Sequence, residues 1–445
     1  MDPSLVSISG EFAVPSRHFE LVSPRVGLIR SLSRVPRGVE EPNPPIIYQA
    51  VLSHFDYRSA KPSERTCAGK GLSESEAVAG AIGEAVERYC ASHYDRRAVR
   101  TARWDSVVAN AIAPPECVLY ADAQYARPGF PYRRWNPNEE IAWIPVRELP
   151  GRDEVLAPAT LIYLDLAAAR PEEFFCPPTS NGLAAGPDLD TAILAGLYEL
   201  VERDGFLITW MNRLPAPQVE FGATAGIAHS IRTHYARFGI DVRVFNVSSD
   251  LPIHVMLAAA FDRTNTGPAA LVGLGCHLDP GRAVVKALFE ICQARPGEVI
   301  RYREQPPAER LQTYEDVRTL EDHSAYLSIP ARLGEFAFLL ESGRTQQLEE
   351  LPSYARGSVG ADLDASVDAL VRAGCRVLFR DLTTLDVAEY GFRVVRTIAT
   401  GLQPIHFGYG EERLGGRRLY ELPPRLGYPP TRREADLNRC PHPLA

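Results

Sequence analysis

From Ala77 to Arg88 the chain reads A-V-A-G-A-I-G-E-A-V-E-R, an apolar run carrying two glutamates three residues apart. Residues at that spacing lie about 60° apart around a helix axis, so both acids share one face. The pattern recurs as A-I-L-A-G-L-Y-E-L-V-E-R from Ala192 to Arg203 and as A-V-V-K-A-L-F-E-I-C-Q-A from Ala283 to Ala294. Aligned on the eighth place, the three runs have Glu84, Glu199 and Glu290. The eleventh place holds Glu87, Glu202 and Gln293, and a small residue (Ala81, Gly196, Ala287) stands three before each first glutamate. Each run has a helix start: Ser73 with Glu76 as a capping box, Asp188 as a cap, and Asp279 followed by Pro280. The small residues let each helix lie close against a neighbouring sheet.

Elsewhere, short apolar runs predict strands at 46–52, 160–166, 241–247, 254–261, 375–382 and 393–399. Helical periodicity covers 73–93, 188–213, 223–238, 279–295 and 361–374. The alternation predicts an α/β (α+β) fold with strands and helices in layers. Residues 296–360 are polar and read as surface helices and loops. The Arg- and Pro-rich stretch 411–445 closes on N-R-C-P-H-P-L-A, which reads as an extended, polyproline-like tail.

Ionised side chains are costly to bury unless paired or metal-bound. One such glutamate pair reads as a solvated helix face. Three copies in otherwise apolar helices point instead to convergence, where four carboxylates would repel one another without a cation. Carboxylate oxygens suit Mg²⁺, which takes substrate phosphates as further ligands. No glycine-rich phosphate loop, G-x-S-x-G elbow or Ser/His/Asp set stands elsewhere to perform the chemistry. Among 48 basic residues only Lys61, Lys70 and Lys286 are lysines. Two of them fall in A-G-K-G-L and V-V-K-A-L-F-E, beside the repeats.

A net charge of −8 argues against nucleic acid or an anionic membrane as a partner. No run is apolar for the ~18 residues of a membrane span, and the amino terminus has no signal pattern, so a cytoplasmic protein is expected. The eight cysteines form no C-x-x-C pair and read as reduced, mostly buried thiols. The ten histidines show no H-E-x-x-H, and a structural zinc site is not expected.

C-A-G-K-G-L-S before the first repeat, S-N-G-L-A-A-G before the second and G-L-G-C-H-L-D-P before the third resemble the YcaO superfamily of ATP-dependent enzymes. The C-terminal G-L-Q-P-I-H-F-G-Y-G-E-E-R-L-G-G-R-R-L-Y-E-L-P-P-R-L-G-Y is similar to the azoline-forming cyclodehydratases, or D proteins, of thiazole/oxazole-modified peptide and bacteriocin biosynthesis. The resemblance implies a fold of repeated strand–helix units around ATP and Mg²⁺. A segment at 1–60 would join a catalytic core at 61–415, followed by a tail at 416–445. It implies Glu84, Glu87, Glu199 and Glu202 as metal-facing acids, with Glu87 and Glu202 also catalytic. Lys70, Arg203, Lys286 and Glu290 would contact the nucleotide, with Asn181, Gln293 and Arg30 as further polar lining. Pro187 and Asp188 depart from the family's pattern before the second helix. The tail ends Pro441-His442-Pro443-Leu444-Ala445, lacking the last proline of the family's P-x-P-x-P.

The implied reaction phosphorylates a peptide amide oxygen, so that a Cys, Ser or Thr side chain closes a thiazoline or (methyl)oxazoline ring. No protein nucleophile is needed. A general base is, and His442 or the Ala445 carboxylate would serve if the tail folds inward. Implied partners are a ribosomal precursor peptide, an E1-like leader-binding protein in trans, a flavin dehydrogenase of the same pathway and a second copy of the chain. Alternatives are thioamide or amidine synthesis by the same activation, or a non-catalytic ATP-binding scaffold.

Overall fold

The structure is a computed structural model that describes residues 16–53, 66–151, 153–166, 173–431 and 433–444. Lys61 and Ala445 lie outside the described residues. Three sheets form its frame. The first is antiparallel, β1 (Ile29–Arg34), β2 (Ile46–Leu52) and β3 (Thr66–Gly71) in that order. The second runs β4 (Arg100–Ala102), β5 (Ile141–Leu149), β13 (Val377–Asp381), β14 (Arg393–Ala399) and β7 (Leu183–Gly186), with β6 (Asp153–Pro158) also on β5. The third runs β11 (Ala270–His277), β10 (His254–Asp262), β9 (Ile240–Asn246), β8 (Gln218–Glu220) and β12 (Thr345–Gln347). The longer helices are α1 (Glu74–Ala91), α2 (Leu189–Met211), α3 (Ile227–Ala236), α4 (Pro280–Glu304), α5 (Leu320–Leu327), α6 (Val359–Arg372) and α7 (Arg418–Arg425).

The three repeats are the strand–helix units β3–α1, β7–α2 and β11–α4. Each start is capped: Ser73 accepts from Glu76 N, Asp188 from Thr191 N and Asp279 from Arg282 N, while Glu76 accepts from Leu72 N at 2.7 Å rather than closing a box on Ser73. Each helix lies on its own strand and also on the strand of another unit, α1 on β7, α2 on β11 and α4 on β3. The units therefore close into a ring. Glycine sets the strand–helix distance. A Cβ on Gly69 would stand 2.0 Å from the Ala77 carbonyl, and one on Gly275 2.1 Å from the Ala283 carbonyl.

Burial follows the layers. α2 is apolar nearly all round because it lies between the second and third sheets, whose Val395 and Leu257 share its core. α1 fills the space between the first and second sheets with Ile82 and Val86. α4 and α3 cover the outer face of the third sheet. Strand β10 is buried along its whole length, as a central strand should be.

Three expectations from sequence are corrected. Residues 160–166 form no strand: β6 already supplies that edge, and the chain turns at Pro158 into a short 3-10 helix at Ala159–Leu161. The 296–360 stretch is not all surface, since α4 runs on through Pro296 to Glu304 and α5 is buried from Asp322 to Leu327. The C-terminal stretch is not simply extended. It forms α7, which spans Pro423 and Pro424, and then returns to the core, where Cys440, His442 and Leu444 are buried. The cysteines are free thiols, as expected, and six of the eight are buried.

Candidate nucleotide and metal site

At the centre of the ring is a cavity of about 640 Å³, lined by Lys70, Glu84 and Glu87 of the first unit, Glu202 of the second, and Lys286 and Glu290 of the third. Seen from the backbone, the three units are built alike. Glu84 accepts the Ala68 N–H at 2.7 Å, Glu199 accepts the Gly182 N–H at 2.9 Å, and Glu290 accepts the Leu274 N–H. In every unit the first glutamate thus ties its helix to the strand that precedes it. Two first glutamates also meet the arginine one turn on, Glu84 with Arg88 at 2.7 Å and Glu199 with Arg203 at 3.6 Å. The third unit has Ala294 at that place.

The second acid of each pair is differently placed. Among the described residues Glu87 makes no hydrogen bond, and Glu202 has only Arg203 at 3.9 Å. Burial, then the charges of Glu84 and Glu199, push the Glu87 carboxyl up to about 8. Burial together with Glu290 raises Glu202 to about 7 against the opposing pull of Arg203. A Lys70 ammonium loses basicity to burial, while the charges of Glu290 and Glu202 pull the other way. Without a cation these acids resist ionisation, because desolvation and like charge both disfavour the carboxylate. A divalent cation reverses both effects, so the donor set fits Mg²⁺. The cavity is also large enough for a nucleotide. Buried Arg203 Nη1 has no hydrogen-bond partner, which leaves a cationic donor for an anionic guest.

The other expected residues fall outside this lining. Glu199 and Arg203 stand just behind it on α2, electrostatically coupled to Glu87 and Glu202 respectively. Asn181 lines a smaller cavity of about 90 Å³ beside Arg396, its Oδ1 buried and unpartnered. Gln293 is on α4 beyond the lining, and Arg30 is exposed on β1, also outside it. His442 is buried under α2, its Nε2 donating to the His406 carbonyl at 2.9 Å, and does not line the cavity. Burial, then His323 and His406, hold its ring well below the usual basicity, which suits a general base poorly. Asp188, one of the departures from the family's pattern, is occupied in capping α2.

Sequence reasoning missed several residues here. Arg17, His18 and Phe392 line one side of the cavity, with His18 and Phe392 ring centroids 4.3 Å apart. Arg396 of β14, buried, donates to the carbonyls of Ile162, Asn181 and Thr179 at 2.7–3.0 Å and offsets charge on Glu199 and Glu87. None of these lies near a repeat in sequence. Only the buried arginine in R-V-V-R-T-I-A, a charge within a strand run, was a signal.

The family described as YcaO cyclodehydratase, ATP- and Mg²⁺-binding, matches residues 68–403. An uncharacterized protein of Methanothermobacter thermautotrophicus is 29% identical over 355 residues, 79% of this chain and 84% of that protein. A heterocyclase solved in complex with substrate and cofactor superposes with a TM-score of 0.82 at 27% identity, over 96% of this chain and 56% of that one. The heterocyclase TruD gives 0.64 at 27% identity, over 82% and 50%. This chain therefore spans about half the length of the two heterocyclases. The fold is shared as well by YcaO from Methanopyrus kandleri bound with AMPPCP and Mg²⁺, at a TM-score of 0.63 and 22% identity over 87% and 89%. Among the described residues no helix is long and apolar enough to cross a membrane. The chain belongs to the YcaO cyclodehydratase family, a family of enzymes that bind ATP and Mg²⁺.

Proposed function

We propose that this chain is an ATP-dependent cyclodehydratase that converts Cys, Ser or Thr residues of a ribosomal precursor peptide into azoline rings. One observation carries the reading: Glu87 and Glu202, brought from two units, line one cavity with Lys70 and Lys286, Glu87 without an ion pair and Glu202 with only Arg203 at 3.9 Å. The heterocyclases it resembles favour ring formation over other chemistry of the family. So does the C-terminal L-G-G-R-R-L-Y-E-L-P.

When bound, Mg-ATP supplies a phosphoryl group that turns the amide oxygen, a poor leaving group, into phosphate. Glu87 and Glu202 would hold the cation, supported by Glu84 and Glu199, whose backbone hydrogen bonds fix the helices that carry them. Lys70 and Lys286, both in the lining, would offset phosphate charge, and Arg203 Nη1, buried without a hydrogen-bond partner, would donate from behind. Charge stabilisation and positioning are the protein's share of such a transfer. A leader-binding, E1-like partner in trans would deliver the peptide.

The test incubates the chain with ATP, Mg²⁺, such a partner and its Cys/Ser/Thr-containing precursor. The expected result is loss of one water per ring, matched by ADP and phosphate. Exchange of oxygen for sulfur without water loss would replace this reading with thioamide synthesis. ATP turnover indifferent to peptide would replace it with small-molecule chemistry.

A further inference from the structure

Behind α2 is a cluster the proposed reaction does not use. His323 of α5, His406 in the loop after β14 and His442 of the tail are 0%, 4% and 0% exposed. One possible ligand atom from each lies within 4.8 Å of the others. Stacked rings bring His323 and His442 to 3.9 Å between centroids, although 119 positions separate them in the chain.

The hydrogen bonds leave lone pairs without protons to meet them. A carbonyl only accepts, so the 2.9 Å contact of His442 Nε2 with the His406 oxygen puts the proton on Nε2 and the lone pair on Nδ1. That Nδ1 and the Nδ1 of His406 are both buried without a hydrogen-bond partner. His323 has carbonyls at both nitrogens, His442 O at 3.0 Å and Phe407 O at 2.9 Å. A neutral ring holds one proton for those two acceptors. Burial does keep the rings neutral, with His323 pushed down to about 4 and the other two well below the ordinary value. A ring nitrogen held by a backbone carbonyl with its partner nitrogen free is the usual outer support of a metal-ligating histidine.

We propose that His323, His406 and His442 form a transition-metal site, taking Zn²⁺ or a similar imidazole-preferring divalent ion, that staples the C-terminal tail to the core. Ligand nitrogens of a tetrahedral zinc site stand about 3.3 Å apart, so the ion draws these rings inward, and His323 exchanges one carbonyl for it. The tail is already anchored at its other end. Asn438 N donates to the Met211 carbonyl at 2.7 Å, and Trp210 Nε1 to the Cys440 carbonyl at 3.0 Å. The staple thus braces the helix that carries Glu199, Glu202 and Arg203. It is distinct from the carboxylate site, whose oxygen donors suit Mg²⁺.

The full chain, purified without a histidine tag and dialysed against excess Mg²⁺, is assayed for metal content. Stripped protein is then titrated with Co²⁺, whose visible bands separate nitrogen ligation from a six-coordinate carboxylate site. The expected result is about one tightly held equivalent per chain and intense Co²⁺ bands. Both should be lost in His406→Asn and in His442→Asn and kept in Glu87→Gln. Wild-type protein with neither bound metal nor Co²⁺ bands overturns the proposal, and so do bands that survive in both histidine variants. If both variants fail to fold, the wild-type titration alone decides between the two results.

Discussion

At the scale of single residues, the two members of each glutamate pair do different work. The first is tied to a backbone N–H and an arginine; the second lines the cavity without a hydrogen bond. Glu87→Gln or Glu202→Gln should therefore weaken Mg²⁺-dependent nucleotide binding by at least about a hundredfold, since even outer support of a metal ligand is worth ten- to a hundredfold. Calorimetric titration measures this, and apo stability should hold or rise. The shifted acid also gives the apo protein a pH dependence. Glu87 titrates near 4.5 when unfolded and near 8 when folded. Between those values the folded chain binds the extra proton, so stability falls as pH rises through that window, by up to about 1.4 kcal/mol per pH unit for one such group. Melting curves from pH 5 to 8 should show the decline in apo protein, and saturating Mg²⁺ should abolish it. The pairing was legible in sequence because helical periodicity fixes which side chains share a face. The division of labour was not, because it depends on backbone N–H groups some sixteen residues upstream.

At the scale of elements, the close approach of strand to helix holds the acids in place. Gly69→Ala would drive a methyl group into the Ala77 carbonyl, backbone against backbone, with no side chain to give way. A loss of about 3 kcal/mol is expected, read by urea unfolding. Gly297 of α4 is a contrast: nothing lies within 4 Å of its would-be Cβ, so Gly297→Ala should stabilise by about 0.5–1 kcal/mol. The three helices and their N-terminal caps could be read from sequence almost to the residue, although α4 runs nine residues past its expected end. Several strands could not. β3 and β7 are short, and their glycines and alanines exist to admit a helix, which removes the β-branched signal that marks a strand.

At the scale of the whole molecule, the ring closes because each helix leans on another unit's strand, and the C-terminal segment locks one arc of it. Arg418 of α7 donates to Asp204 of α2 at 2.7 Å and to Asp250 at 2.8 Å. Asp204 is fully buried. Arg418→Met leaves that carboxylate unpaired and should cost about 3–5 kcal/mol, with much of the loss recovered in Asp204→Asn/Arg418→Met. Such long-range pairings, like the meeting of Arg17, His18 and Phe392 at the cavity, have no spacing signature. They follow from topology, which periodicity does not determine. In the proposed function, acidic faces from separate units meet around a metal-bound triphosphate. A crystal structure with Mg²⁺ and a non-hydrolysable ATP analogue tests it most directly. Mg²⁺ is expected about 2.1 Å from carboxylate oxygens of Glu87 and Glu202, with phosphates against Lys70 and Lys286. Nucleotide bound elsewhere, with both carboxylates free of metal, would contradict it.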